Sequence, residues 1–272
     1  MSDIPLTGKI KKMFNYKGVD FLCNLMKANN LVVMFHGKSF FKEYPVFRGY
    51  NYNFVNTVVL SIADPNIKQY NDVTVGWYLN TLKYPDTFSK IVEIISFVKN
   101  KCDINNIVFA SNCSGALIAL KLGCHFKQRV CIANPHTIIK SKDLWTHWHL
   151  QEYAYNTGYH PGNKPQGGTL EPGVEKVLIG ILKDNKDDIS DKEDLDIRNH
   201  IVKYGFPKHI SIYTHINDYT AEWANALSEF SKKNNYDDIK IIFSHKKNVS
   251  PHHTPFDNYN LKSAIQKELD NI

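Results

Sequence analysis

The chain has 272 residues, of which 43% are hydrophobic, 12% aromatic and 22% charged, a balance that buries a core and excludes disorder. Its formal charge of +6, from 33 Lys plus Arg against 27 Asp plus Glu, is too small and too dispersed for a nucleic-acid partner and suits an anionic small molecule or polymer instead. The longest uninterrupted apolar runs, such as Leu31 to Phe35, fall far short of the roughly 20 residues that span a bilayer, so no integral membrane segment is expected. No apolar h-region follows the lysines of MSDIPLTGKIKKMF, and the expectation is a soluble, cytoplasmic protein. The cysteines, at 23, 102, 113, 124 and 131, are odd in number and lack C-x-x-C spacing, so they predict reduced thiols rather than a disulfide framework or a zinc site.

In chain order, strands are predicted at Leu31–His36, Thr57–Ile62, Asn106–Ala110, Arg129–Ala133, His209–Thr214 and Ile239–Phe243. Their apolar runs are nearly continuous, as in strands covered on both faces. Between the second and third, Phe88, Ile91, Val92, Ile95 and Val98 recur at helical spacing behind Asp86, a candidate N-cap. Ser114 to Gly123 reads as a helix ending at glycine, and Trp223, Leu227 and Phe230 mark a further helical face. A last helix after Asp257 carries Leu261, Ala264, Ile265 and Leu269. Strands alternating with helices predict a mainly parallel sheet flanked by helices, in a single α/β domain over 1–272. The rhythm breaks at 145–204, where aromatics and histidines, then GYHPGNKPQGGTLEPG and the acidic DNKDDISDKED, predict an inserted lid or cap.

The segment with the most chemical content is Ile107 to Leu120, IVFASNCSGALIAL, a buried strand running through a tight turn into a helix. A nucleophile elbow demands that form, with small residues two positions before and two after the nucleophile. Centred on Cys113 the flanks are Ser111 and Gly115; centred on Ser114 they are Asn112 and Ala116, with Leu117 next. The steric rule favours Cys113, with Ser114 as the alternative. Upstream, the first predicted strand ends in His36-Gly37-Lys38, where a glycine lets backbone N–H groups face a reacting carbonyl. An oxyanion hole would combine the Ser114 N–H with that of Gly37 or Lys38, and His36 belongs to the same substrate-facing turn. The acid and the histidine are expected later in the chain, each after a strand. Asp218 follows His209–Thr214, and His252 and His253 follow Ile239–Phe243; His253 is preferred, with His252 beside it, and in such a triad the histidine would hold Cys113 as a thiolate or deprotonate it while Asp218 fixes the imidazole tautomer. Asp218 also suits a helix N-cap. No spacing motif joins these histidines to His147, His149 or His160, so no metal is expected.

The elbow, the His-Gly strand end and the late acid and histidine together resemble the α/β-hydrolase superfamily over most of the chain. A narrower likeness rests on Leu60-Ser-Ile-Ala-Asp64-Pro65, Gly76-Trp77-Tyr78-Leu79, the Gly115-Ala116 that follows the elbow, and Ala133-Asn134-Pro135-His136-Thr137. These runs are similar to the pattern of bacterial capsular-polysaccharide biosynthesis proteins of the capsule O-acetyltransferase type. This chain has cysteine at 113 where that family usually has serine, and serine at 111 where glycine is usual. Asp64-Pro65 and Trp77 equally suit packing and turn positions.

The resemblance implies an acyltransferase, in the first place an O-acetyltransferase, moving an acyl group from acetyl-CoA to a sugar hydroxyl of a polysaccharide through an acyl-enzyme. A cysteine nucleophile suits transfer, because its attack on a thioester exchanges one thioester for another and keeps the acyl group activated. The same residues would serve an esterase or thioesterase with water as acceptor. A reading from another class is a non-catalytic scaffold of a polysaccharide-assembly or secretion complex, docking through the aromatic stretch Trp145 to Tyr159. A homo-oligomer is compatible with each.

Overall fold

The computed structural model describes residues 4–37, 44–69, 77–80, 84–137, 196–218, 220–247, 255–256 and 260–272. Eight strands form one sheet: β1 Lys12–Tyr16, β2 Val19–Cys23, β3 Asn30–Phe35, β4 Thr57–Ile62, β5 Asn106–Asn112, β6 Arg129–Ala133, β7 His209–His215 and β8 Ile239–Ser244. Their spatial order is β1-β2-β4-β3-β5-β6-β7-β8. From β4 to β8 all neighbours run parallel, and the six strands predicted from sequence are these, with ends within one or two residues of the expected ones. Every residue of β4 is buried, as continuous apolar runs covered on both faces require.

The sequence reading did not include β1 and β2. They form an antiparallel hairpin that pairs Tyr16 with Val19 around Lys17-Gly18, both at positive φ (50° and 89°), the two-residue turn whose twist suits a hairpin. β2 extends the sheet antiparallel to β4, and β1, partly exposed, forms the edge.

Among the described residues six α-helices accompany the sheet: α1 Pro65–Gln69, α2 Thr87–Cys102, α3 Ala116–Phe126, α4 Ile197–Tyr204, α5 Thr220–Lys233 and α6 Leu261–Asp270. Two expectations about helix ends need correction. Asp86 stands at the N-cap position of α2 as expected, but its side chain makes no capping bond; the Phe88 N–H there donates to Asn80 Oδ1, brought in from outside the helix, at 3.2 Å. Nor does α3 stop at Gly123. It continues to Phe126 and is capped by Lys127 at φ 54°, whereas Gly123 lies inside the helix at a close approach to β6, where a Cβ would sit 2.3 Å from Val130 Cγ2.

One sheet face, including Leu31, Val33, Phe35, Phe109 and Ile132, packs with Ile91 and Ile95 of α2, Leu117 and Leu120 of α3, Ile197 and Ile201 of α4 and Leu227 of α5. The other face, with Val32, Met34, Val108, Ala110, Cys131 and Ala133, packs with Leu261, Ala264 and Ile265 of α6. Glu268 of α6 is buried, accepts from Ser211 Oγ at 2.6 Å and pairs with Arg129 Nη1 at 3.1 Å, tying the helix to β6 and β7. No helix among the described residues is long and apolar enough to cross a membrane.

Of the span 145–204, residues 145–195 lie outside the described residues, and 197–204 form α4, whose Ile197 and Ile201 join the core. Where the chain leaves β6 and where it returns lie side by side: the Ile197 N–H donates to Thr137 O at 3.1 Å. An excursion that returns to its starting point is how an insertion between β6 and β7 is accommodated.

Candidate active site

Strand order places the site before any side chain is considered. β4 lies on one side of β3 and β5 on the other, and β5 leads on to β6, so the connections leaving the carboxyl ends of the adjacent strands β3 and β5 run in opposite directions, and the crevice between these two is where ligands bind in parallel α/β sheets. Gly37 follows β3 and Cys113 follows β5, the strands paired in parallel on either side of that point.

At the end of β5 the chain turns from strand to helix within a few residues. Cys113 has φ 54°, a left-handed value rarely adopted by a residue with a side chain, and Ser114 is not among the residues at positive φ. Cys113 to Gly115 make one 3₁₀ turn that leads into α3. The small flanks expected from sequence have a contact reason. A Cβ on Gly115 would lie 2.2 Å from Ser111 Oγ, 2.7 Å from His36 O and 3.1 Å from Phe35 Cβ, so the turn is pressed against the end of β3. Ser111 Oγ donates to Phe35 O at 3.1 Å across the same contact. On the facing side, a Cβ on Gly37 would lie 3.0 Å from both Asn112 O and Cys113 Cβ, which brings the Gly37 backbone directly against Cys113.

His36 is buried, and both ring nitrogens are engaged: Nδ1 bonds to Gly37 O at 2.6 Å, and Nε2 accepts the Asp64 N–H at 3.1 Å. An Nε2 acceptor requires the neutral Nδ1–H tautomer, and burial lowers the imidazole pKa to about 4. The ring thus holds the Gly37 turn to the loop after β4. Asp64 extends this web, its carboxylate accepting the N–H groups of Asn66 at 3.0 Å and Tyr78 at 2.9 Å. Tyr78 OH accepts the His36 N–H at 3.0 Å and donates to Ile62 O at 2.9 Å. The Asp64-Pro65 and Trp77-Tyr78 runs therefore meet beside the strand end that carries His36 and Gly37, in a supporting role.

Asp218 follows β7. Its Oδ1 accepts the N–H of Thr220, the first residue of α5, at 2.8 Å, so a capping bond is present at that carboxylate. Lys38, His252 and His253 lie outside the described residues.

Among the described residues, a histidine given no chemical role in the sequence reading stands beside the thiol. His136, on the loop after β6, places Nε2 3.5 Å from Cys113 Sγ, and its backbone N–H donates to Cys113 O at 3.2 Å. The Trp223 ring from α5 meets the imidazole edge-on, with centroids 5.1 Å apart at 85°. The signal available in sequence was a histidine just past a strand end, but its relevance depends on β6 being the neighbour of β5. Of the other cysteines, Cys23, Cys102 and Cys131 have thiol pKa values raised by burial, and Cys124 is pushed up to about 12 for the same reason. None of the five is in a disulfide.

No sequence-family model matches the chain, and no curated protein matches it either. Among solved structures, the capsule O-acetyltransferase of Neisseria meningitidis serogroup A superposes with a TM-score of 0.57 at 16% identity, over 95% of this chain and 92% of that one. A histidine-to-alanine variant of that acetyltransferase, solved in complex with CoA, gives 0.58 at 14% identity over 95% and 94%. An S-formylglutathione hydrolase from Agrobacterium tumefaciens gives 0.54 at 10% identity over 96% and 94%. The chain has an α/β-hydrolase-like fold and resembles a capsule O-acetyltransferase in architecture.

Proposed function

We propose that this protein is an acyltransferase that carries an acetyl group from acetyl-CoA to a sugar hydroxyl of a bacterial polysaccharide, by way of a thioester on Cys113. The observation that carries the reading is the left-handed Cys113 at the switch point of the sheet, with the Gly37 backbone pressed against it. That is the form of a nucleophile elbow, with Gly37 and Ser114 as backbone donors to the oxyanion. Lys38 is the alternative donor on the Gly37 side. Asp218 orients the histidine after β8, His253 or His252, which takes the proton of the attacking hydroxyl. A solved structural neighbour holds CoA, which supports the choice of donor, and the acetyltransferase likeness supports a sugar acceptor. With water as acceptor the same residues would make a thioesterase or esterase, a reading supported by the hydrolase neighbour.

The test is intact-protein mass spectrometry after brief incubation with acetyl-CoA, on the native chain, Cys113→Ala and Ser114→Ala. One acetyl adduct, lost in Cys113→Ala and kept in Ser114→Ala, is expected. An adduct that survives Cys113→Ala and vanishes in Ser114→Ala overturns the nucleophile, and no adduct on any chain overturns the donor.

A further inference from the structure

Three separate contacts converge on His136, two of them on its side chain. Its Nε2 lies 3.5 Å from Cys113 Sγ, its main chain is bonded to the main chain of the same cysteine, and the Trp223 ring bears edge-on against the imidazole. Both partners are buried, His136 at 4% exposure and Cys113 at 6%, so little water competes for the pair. One backbone hydrogen bond and a ring contact hold one nitrogen at hydrogen-bond distance from sulfur.

The titratable groups described on the neighbouring elements are engaged with the main chain around them. His36 bonds to Gly37 O and to the Asp64 N–H, and Asp64 accepts from Asn66 and Tyr78. His215, at the end of β7, bonds through Nε2 to Lys246 O at 2.8 Å and accepts the Asn217 N–H on Nδ1 at 3.1 Å, while Asp218 accepts from Thr220. The ring nitrogen that the described residues bring to Sγ is that of His136.

We infer that His136 is a catalytic residue that takes the proton of the Cys113 thiol. The inference rests on the reading of Cys113 as the acyl carrier. Proton transfer from Sγ to Nε2 gives a thiolate and an imidazolium held side by side. The thiolate electron pair forms the Sγ–C bond to the donor thioester, the bond from carbon to the CoA sulfur breaks, and Nε2 returns its proton to that sulfur, which leaves as a thiol. In the second half the acceptor oxygen attacks the Cys113 thioester, its proton goes to His253 or His252, and the Sγ–C bond breaks to release the thiolate. The late histidine then gives its proton to water and His136 takes one up, restoring the pair.

Alkylation of Cys113 by iodoacetamide, followed by mass spectrometry at pH 6 and pH 9, tests the pair without any acyl donor or acceptor. The chains to compare are the native one, His136→Phe, which keeps a ring against Trp223, His136→Gln, which keeps a polar side chain that cannot take the proton, and the His252→Ala/His253→Ala double variant. The native thiol should react at pH 6 within about threefold of its pH 9 rate, and both His136 variants should lose at least about tenfold at pH 6 relative to their own pH 9 rates. The double variant should behave like the native chain. An unchanged pH dependence in the His136 variants overturns the inference, as does the same loss in the double variant. Failure of the acyl reading is distinguishable: reactivity at pH 6 without an acetyl adduct removes acetyl-CoA and leaves the pair standing, while an adduct on a thiol whose pH dependence ignores His136 removes the pair and leaves the transferase.

Discussion

Replacing Gly115 with alanine isolates the contact that shapes the nucleophile turn. Gly115 has φ −72° and ψ −7°, an ordinary right-handed conformation, so alanine brings no backbone strain and by restricting the unfolded chain should stabilise by about 0.4–1 kcal/mol. Any loss must therefore come from what the new methyl meets. Ser111 Oγ, at 2.2 Å, can swing away only by giving up its bond to Phe35 O, a cost of about 1 kcal/mol, while His36 O, at 2.7 Å, is main chain and moves only if the end of β3 moves. Overpacking of that kind costs about 1–3 kcal/mol, leaving a net loss of roughly 1–3 kcal/mol and a fall in Tm of roughly 3–10 °C. Because the displaced atoms adjoin Gly37, acetylation of Cys113 should slow by more than the folded fraction alone accounts for. Thermal unfolding followed by circular dichroism, with adduct formation measured on the same preparation, provides both readings. A Gly115→Ala chain as stable as the native one, or more so, would refute the argument that α3 starts pressed against β3.

Two further predictions follow from buried charge. His36 is held near pKa 4 when folded against an ordinary value of 6.5, so the unfolded chain takes up the proton first; full stability holds above pH 6.5 and about 3 kcal/mol is lost as the pH falls toward 4. Denaturant titrations across that window should show the slope in the native chain and a shallower one in His36→Gln. Glu268→Ala leaves Arg129, whose side chain is 17% exposed, without its carboxylate partner and removes the acceptor of Ser211 Oγ, for an expected loss of about 3 kcal/mol in urea unfolding; a loss below about 1 kcal/mol would mean that α6 is held by its apolar residues alone.

Legibility from the sequence followed the range of the interaction involved. Thr57–Ile62 and Arg129–Ala133 were readable because burial on both faces imposes unbroken apolar runs, a property of the strand by itself. Lys12–Tyr16 is an edge strand with a half-exposed pattern, and its turn signal, a residue before glycine at Lys17-Gly18, is too common to stand out without the partner strand. Gly123 looked like a helix stop because its actual reason, the closeness of Val130, belongs to another element. In the site, the preference for Cys113 over Ser114 came from the small flanks at 111 and 115, and these are the residues that meet at the strand end. His136 was present in the sequence with no role, since its distance from Cys113 is set by the pairing of β5 with β6 and by Trp223 arriving from α5.

The position of α6 also bears on how the protein is made. The strand residues of the face it covers, from Val32 to Ala133, are translated well before Leu261, Ala264 and Ile265, the residues that shield them. On the ribosome the opposite face can close against α2 to α5 as those helices emerge, while the part of this face that α6 covers waits until the last helix clears the exit tunnel. Through that interval the nascent chain presents an apolar sheet surface of the kind chaperones capture, and a translation stall after β8 would leave a product with all eight strands of the sheet made and without the α6 residues that pack on this face.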